Sequence, residues 1–282
     1  MSTNRLRRFI SSGLVAFGAL LPVAERPAAA DGPGQAAAGP GQAVTYARGG
    51  RSFEGFLVAP PPAPGAAKKR PAVIIAHDFL GLGDYQKEVA RKLAREGYVV
   101  LAADYYGKGV RPKGMDEASA MAKSYRQSVP ELRANIRAAY EFLAAQPNVD
   151  ATKIVALGYS LGGLAAFELA RGGAELAGVV TLWGILENKN PADLLKPGTR
   201  VLVVQGTADP FAPAAAVSAF EADLQRSKAD YQLVKYAGVA HTFTVPAAGT
   251  NVGSGYAYDA KADRRSWQLL LGFLREVAPG AG

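Results

Sequence analysis

Three side chains set far apart in the chain, Ser160, Asp209 and His241, have the types and the order that acyl transfer through a serine nucleophile needs. Ser160 lies in Gly158-Tyr159-Ser160-Leu161-Gly162, a G-x-S-x-G pattern. A serine hydroxyl is a weak nucleophile until a base takes its proton, and the chain has only two histidines, His77 and His241. His241, in VAHTFTVP, lies downstream of Ser160 and is the expected base, whereas His77 reads as a hydrogen-bonded structural residue. The acid that orients the base is expected between them. Asp209, in VVQGTADPF, sits one short turn past an apolar run and is chosen over Asp193, which reads as the cap of a helix after NKNP. Asp104 precedes Ser160 in the chain and reads as structural. The oxyanion of such a reaction needs two N–H donors, expected from the backbone of Leu161 and of Phe79, with Leu80 close behind.

These residues function only if the chain brings them together. Residues 71–78, 98–104, 153–157, 177–184, 200–206 and 231–238 are short, nearly continuous apolar runs, as expected of strands buried on both faces. Between them lie segments of helical period. Tyr85, Val89 and Leu93 form one stripe; Leu132, Ile136, Tyr140 and Leu143 a second; Val217, Phe220 and Leu224 a third. Trp267, Leu270, Leu271 and Leu274 close the chain with a fourth. Alternating strands and helices predict an α/β fold with a mostly parallel central sheet and helices on both faces. Residues 51–60, with Phe53, Gly55 and Leu57 alternating, predict a leading strand paired antiparallel at an edge. His77, Asp78, Asp104, Ser160, Asp209 and His241 all fall just past strand ends, where ligands bind in open α/β sheets. Tyr105, Tyr106, Trp183 and Phe211 fall there too, either as walls of an acyl pocket or as ordinary half-buried aromatics.

The blocks HDFLGLGDYQKEVARKLAREGYVVLAADYYG, VALGYSLGG, VVQGTADP and VAHTFTVP, in this order, resemble the dienelactone hydrolase family of α/β-hydrolases. The resemblance runs from about Val44 to Ala278 and takes in EGFLVAP and GYAYDAKADRRSW. It implies an α/β-hydrolase fold, hydrolysis of esters or lactones, and no metal or organic cofactor. Three positions depart from the family pattern. Ser160 stands where the best-known members have a cysteine, and Asp78, a possible supporting residue near the nucleophile, stands where they have a glutamate. Val245 stands where they have an arginine that holds a substrate carboxylate, which removes a charge partner from the expected pocket and argues against an anionic lactone substrate.

The chain has 282 residues and no cysteine, so neither a thiol nucleophile nor a disulfide is available. Arg5, Arg7 and Arg8, an apolar run over 9–24 and Ala28-Ala29-Ala30 have the order of a secretory signal over residues 1–30. Cleavage after Ala30 is expected to deliver a periplasmic or secreted protein without a stable membrane anchor. An uncleaved anchor is the alternative, and Arg7-Arg8-Phe9-Ile10 matches a twin-arginine signal only in part. Residues 31–43, rich in Gly, Pro, Ala and Gln, read as a flexible leader to a single domain over 44–282. The formal charge is +8, of which the signal contributes three through Arg5, Arg7, Arg8 and Arg26 against Glu25. Apart from Lys68-Lys69-Arg70, read as a solvated loop, the rest is scattered, which does not make the one-sided stripe that nucleic acid requires. The expected activity is hydrolysis of a small-molecule ester or lactone. The alternative is a catalytically silent binding protein on the same fold.

Overall fold

The computed structural model describes residues 39–61 and 69–280. The signal and most of the leader expected from the sequence lie outside the described residues. Among the described residues eight strands form one sheet: β1 (Gln42–Arg48), β2 (Arg51–Val58), β3 (Arg70–Ala76), β4 (Val99–Ala103), β5 (Val149–Tyr159), β6 (Gly178–Leu182), β7 (Arg200–Gly206) and β8 (Asp230–Tyr236). Their spatial order is β1-β2-β4-β3-β5-β6-β7-β8. From β4 to β8 all neighbours run parallel; β1 and β2 are antiparallel to each other and β2 to β4.

Among the described residues six α-helices connect and cover the strands: α1 (Asp84–Arg95), α2 (Met115–Gln127), α3 (Val129–Ala144), α4 (Leu161–Arg171), α5 (Ala214–Arg226) and α6 (Ala260–Val277). The two-residue period of a strand decides which residue meets which helix layer. On β3, Ala72, Ile74 and Ala76 pack with Leu132 and Ile136 of α3, Phe167 of α4 and Phe220 of α5. Val73 and Ile75 pack on the opposite face with Leu93 of α1 and Leu270 and Leu274 of α6. Both faces of the sheet are therefore covered, and the continuous apolar runs are accounted for.

Three expectations need correction. β2 is not the edge, because β1 pairs outside it in a hairpin turned by Gly49 and Gly50, whose φ angles of +56° and +77° suit a turn with two left-handed residues. Gln42 and Ala43, expected in the flexible leader, are the first residues of β1, and the Gly39 N–H already donates to the Ala59 carbonyl at 3.2 Å. β1 escapes detection because only Tyr46 of its seven residues is buried. Arg70, read as part of a loop, opens β3 half-buried. The helix α2 was not expected either: only Ala118 and Tyr125 are buried along it, too few to print a period.

The parallel strands all end on one edge of the sheet. The loops beyond β3, β5, β6, β7 and β8 carry Phe79, Ser160, Trp183, Asp209 and His241 in turn.

Candidate active site

Ser160 occupies the one-residue turn between the last residue of β5, Tyr159, and the first of α4, Leu161. Its φ of +52° is left-handed, a costly conformation for a residue with a side chain. The turn brings backbone so close that a Cβ on Gly158 would strike the Gly162 carbonyl, and one on Gly162 would strike the carbonyls of Ala76 and His77. The two glycines of the motif are thus steric requirements. The Ser160 carbonyl accepts two N–H groups, from Gly163 and Ile185, each at 2.9 Å, which pins the elbow to α4 and to the loop beyond β6.

His241 reaches Ser160 from the loop beyond β8. Its Nε2 lies 2.9 Å from Ser160 Oγ, and its Nδ1 lies 2.7 Å from Asp209 Oδ2. A carboxylate only accepts, so Nδ1 carries the proton and the Nε2 lone pair faces the serine hydroxyl, which donates to it. The other Asp209 oxygen accepts the Phe211 N–H at 2.8 Å, and Gln205 donates a further bond to Oδ2. The histidine main chain is tied on both sides, its N–H to the Gly255 carbonyl at 3.1 Å and its carbonyl to the Ala257 N–H at 2.9 Å. All three side chains are buried, and the structure brings the expected Ser160, Asp209 and His241 together in one hydrogen-bonded line.

The line ends at a cavity of about 110 Å³ lined by Phe79, Ser160, Leu161, Ile185, Phe211, His241 and Tyr256 and by Ser119, Ala122, Lys123 and Arg126 of α2. Leu161 begins α4, so its N–H is among those a helix leaves without an internal acceptor. Phe79, in the loop beyond β3, lines the same cavity. A larger open cleft of about 610 Å³ contains Asp193 and none of the three line members.

The remaining expected residues take supporting places. Asp78 does not line the cavity: its carboxylate accepts the Leu80 N–H at 2.8 Å and the Gln86 amide at 3.0 Å, shaping the loop that presents Phe79. Burial pushes its carboxyl above the ordinary range, against the pull of those bonds and of His241. Asp104 accepts N–H groups from Glu54, Tyr106 and Gly107 and is structural, as expected. Asp193 caps no helix, since none forms there; its carboxylate pairs with Arg133 of α3. Tyr105, Tyr106 and Trp183 are fully buried and do not wall the cavity. The two tyrosine hydroxyls donate to the carbonyls of His77 and Phe79 at 2.7 and 3.0 Å, bracing the loop from behind. Of the four aromatics only Phe211 lines the cavity, with Phe79 and Tyr256 beside it.

His77 is structural. Its ring stacks on Tyr105 at 3.8 Å and its Nδ1–H donates to the Asp78 carbonyl at 2.6 Å. Burial lowers its pKa to about 3. The folded state therefore resists a proton that the unfolded chain accepts near pH 6.5, so this contribution to stability is complete above pH 6.5 and is lost as pH falls toward 3. Between pH 6 and 4 the unfolding free energy is expected to fall about 1.4 kcal/mol per pH unit more steeply in the wild type than in His77→Phe, as read by urea titrations at each pH.

The α2 residues and Tyr256 were not expected at the site. Ser119, Ala122, Lys123 and Arg126 stand at i, i+3, i+4 and i+7, one face of a helix, but they share no apolar character that would have marked that face in the sequence. Arg126 pairs with Glu187, whereas Lys123 makes no ion pair among the described residues. The charged residues lining the cavity are thus both cationic.

With the geometry in view, known proteins give it a lineage. The profile of the Dienelactone hydrolase family matches residues 53–278. The solved structure of m3DLH is 34% identical and superposes with a TM-score of 0.80, covering 86% of this chain and 99% of that one. A dienelactone hydrolase-like promiscuous phosphotriesterase from metagenomic libraries is 32% identical at a TM-score of 0.79, with 86% and 99% covered. A carboxymethylenebutenolidase from a Pseudomonas species is 31% identical over 189 residues, 63% of this chain and 76% of that protein. The fold, the order of the sequence blocks and a profile match over most of the chain agree, and the protein belongs to the dienelactone hydrolase family of α/β-hydrolase enzymes.

Proposed function

We propose that the protein cleaves carboxylic esters or lactones through an acyl-enzyme on Ser160. The observation that carries this reading is the buried line from Asp209 through His241 to Ser160, with contacts of 2.7 and 2.9 Å, ending at a cavity. Ser160 Oγ attacks the substrate carbonyl carbon while its proton passes to His241 Nε2. The oxyanion so formed is held by the N–H groups of Leu161 and Phe79, aided by the positive end of α4. Nε2 then returns the proton to the departing alkoxide, and the acyl group stays on Oγ. A water molecule repeats the sequence, giving its proton to Nε2 and its oxygen to the acyl carbon, and Ser160 leaves reprotonated. Asp209 keeps the Nδ1 proton in place and stabilises the transient imidazolium.

The test is labelling with a fluorophosphonate, which phosphonylates an activated serine. One adduct mapped to Ser160, and lost in His241→Ala, is the expected result; a folded protein that forms none and turns over no small ester overturns the reading.

The cavity favours an acyl group of a few heavy atoms with an anionic end. Val245 offers no charge for such a group, but Lys123 does, from a different element, without a competing carboxylate. Lys123→Met is expected to raise KM about tenfold for a succinate monoester and to leave KM for a butyrate ester within twofold, the scale of one charge-assisted hydrogen bond. Equal effects on the two substrates would count against an anionic subsite. The sequence of residues 1–30 supports export to the periplasm or beyond, checked by the N-terminal sequence of protein recovered from each cell fraction.

A further inference from the structure

Among the described residues four non-glycines have left-handed φ, and three of them lie at the Ser160–His241 pair: Ser160 itself, Thr242 next to His241 in the chain, and Trp183, whose ring meets that of His241. Ser160 is explained by the elbow. Trp183, at φ +42°, is the bulkiest of the set, and strain of this kind survives only where the surroundings over-determine it.

Its surroundings do so from three sides. Leu182, just before it, is paired with Tyr159, and the Trp183 N–H continues the sheet by donating to the Val204 carbonyl at 2.9 Å. Two residues later the chain has turned back far enough for the Ile185 N–H to donate to the Ser160 carbonyl. The ring is fully buried, 5.4 Å from Tyr159 and edge-on to His241 at 5.0 Å. Its indole N–H donates to Thr244 Oγ1 at 2.8 Å, three residues beyond His241. That oxygen also shares a 2.5 Å hydrogen bond with the Tyr85 hydroxyl of α1.

A closed circuit results. The serine turn is fixed to the Trp183 segment through main-chain bonds, Trp183 is fixed to the histidine loop through Thr244, and His241 returns to Ser160. We infer that Trp183, anchored by Thr244, is a positioning residue that sets the separation of Ser160 from His241. A tryptophan that merely filled space would find any nearby acceptor; this one finds it on the loop that carries the base. The inference rests on the acyl-enzyme reading above.

Thr244→Val keeps the shape of the side chain and removes the acceptor. For a small ester it is expected to lower kcat at least tenfold with KM within twofold, because the loss falls on the reacting geometry and not on binding. Thr244→Ser restores the hydroxyl and should return kcat to within threefold of the wild type. Labelling of Ser160 by the fluorophosphonate should slow in parallel. A folded Thr244→Val whose kcat falls less than fivefold, whatever its Tm, overturns the inference, as does a loss carried equally by KM. Should Thr244→Val fail to fold, Trp183→Phe, which keeps a ring and lacks the indole N–H, is judged by the same limits. Ser160→Ala is run beside them. If it stays active, the acyl-enzyme reading falls and the inference with it; if it is inactive while Thr244→Val is unimpaired, only the positioning role is lost.

Discussion

Ser160→Ala is expected to lower kcat for a small ester by about 10⁶-fold, with thermal stability little changed, because members of a triad that act as a unit fail together. Alanine leaves the elbow without an oxygen to attack, while the cavity and the proposed oxyanion donors remain. His241→Ala should cost a similar factor, and the double variant scarcely more than either, since each already removes the same attack. Non-additivity is therefore as informative as the size of the loss. A His241→Ala protein with full activity would remove the imidazole from the mechanism, and a double variant whose losses multiplied would separate the two residues into independent roles.

Asp209→Asn should leave the structure nearly intact and lower kcat by about 10⁴-fold. The reason lies in which atoms can donate. Asp209 Oδ2 accepts from His241 Nδ1 and from Gln205, and Oδ1 accepts the Phe211 N–H. An asparagine amide has one acceptor oxygen for these three donors, so its NH₂ must face one of them. Turned toward His241, it favours the tautomer with the proton on Nε2, pointing at Ser160 and unable to accept from it. Asp193→Asn supplies the control: that carboxylate pairs with Arg133 away from the cavity, and kcat should stay within twofold. Matching losses in the two variants would mean that the effect of Asp209 is not local.

The sequence made the proposed reacting groups legible because the requirements of such groups are narrow. Few residue types can attack, few can act as base, and buried parallel strands print unbroken apolar runs that locate the turns between them. Glycine on both sides of Ser160 was readable for the same reason, since the close approach of β5 and α4 admits nothing larger. The pocket wall was much less legible. Phe211 lies two residues after Asp209, whereas Ile185 and Tyr256 reach the cavity by the return of loops whose paths no local pattern sets. Tyr105, Tyr106 and Trp183 had the right addresses but the wrong depth; position past a strand end does not say whether a ring faces the ligand or braces the loop behind it. Asp193 illustrates the same limit, since a proline and an acid after a loop resemble a helix start where none forms. β1 and α2 share one cause: each buries only one or two residues, so neither prints a strong period.

That shallow attachment of α2 separates two kinds of evolutionary freedom. The proposed attacking group, base and acid, Ser160, His241 and Asp209, are themselves buried at the sheet edge, where a change disturbs the core. The α2 helix holds on through Ala118 and Tyr125 and presents Ser119, Ala122, Lys123 and Arg126 to the cavity from a mostly exposed segment. Exchanges on its exposed face are expected to cost folding little, so drift along this lineage can change what enters the cavity while the buried line of Ser160, His241 and Asp209 stays fixed. A library randomised at those four positions is the natural starting point for moving the enzyme to new substrates.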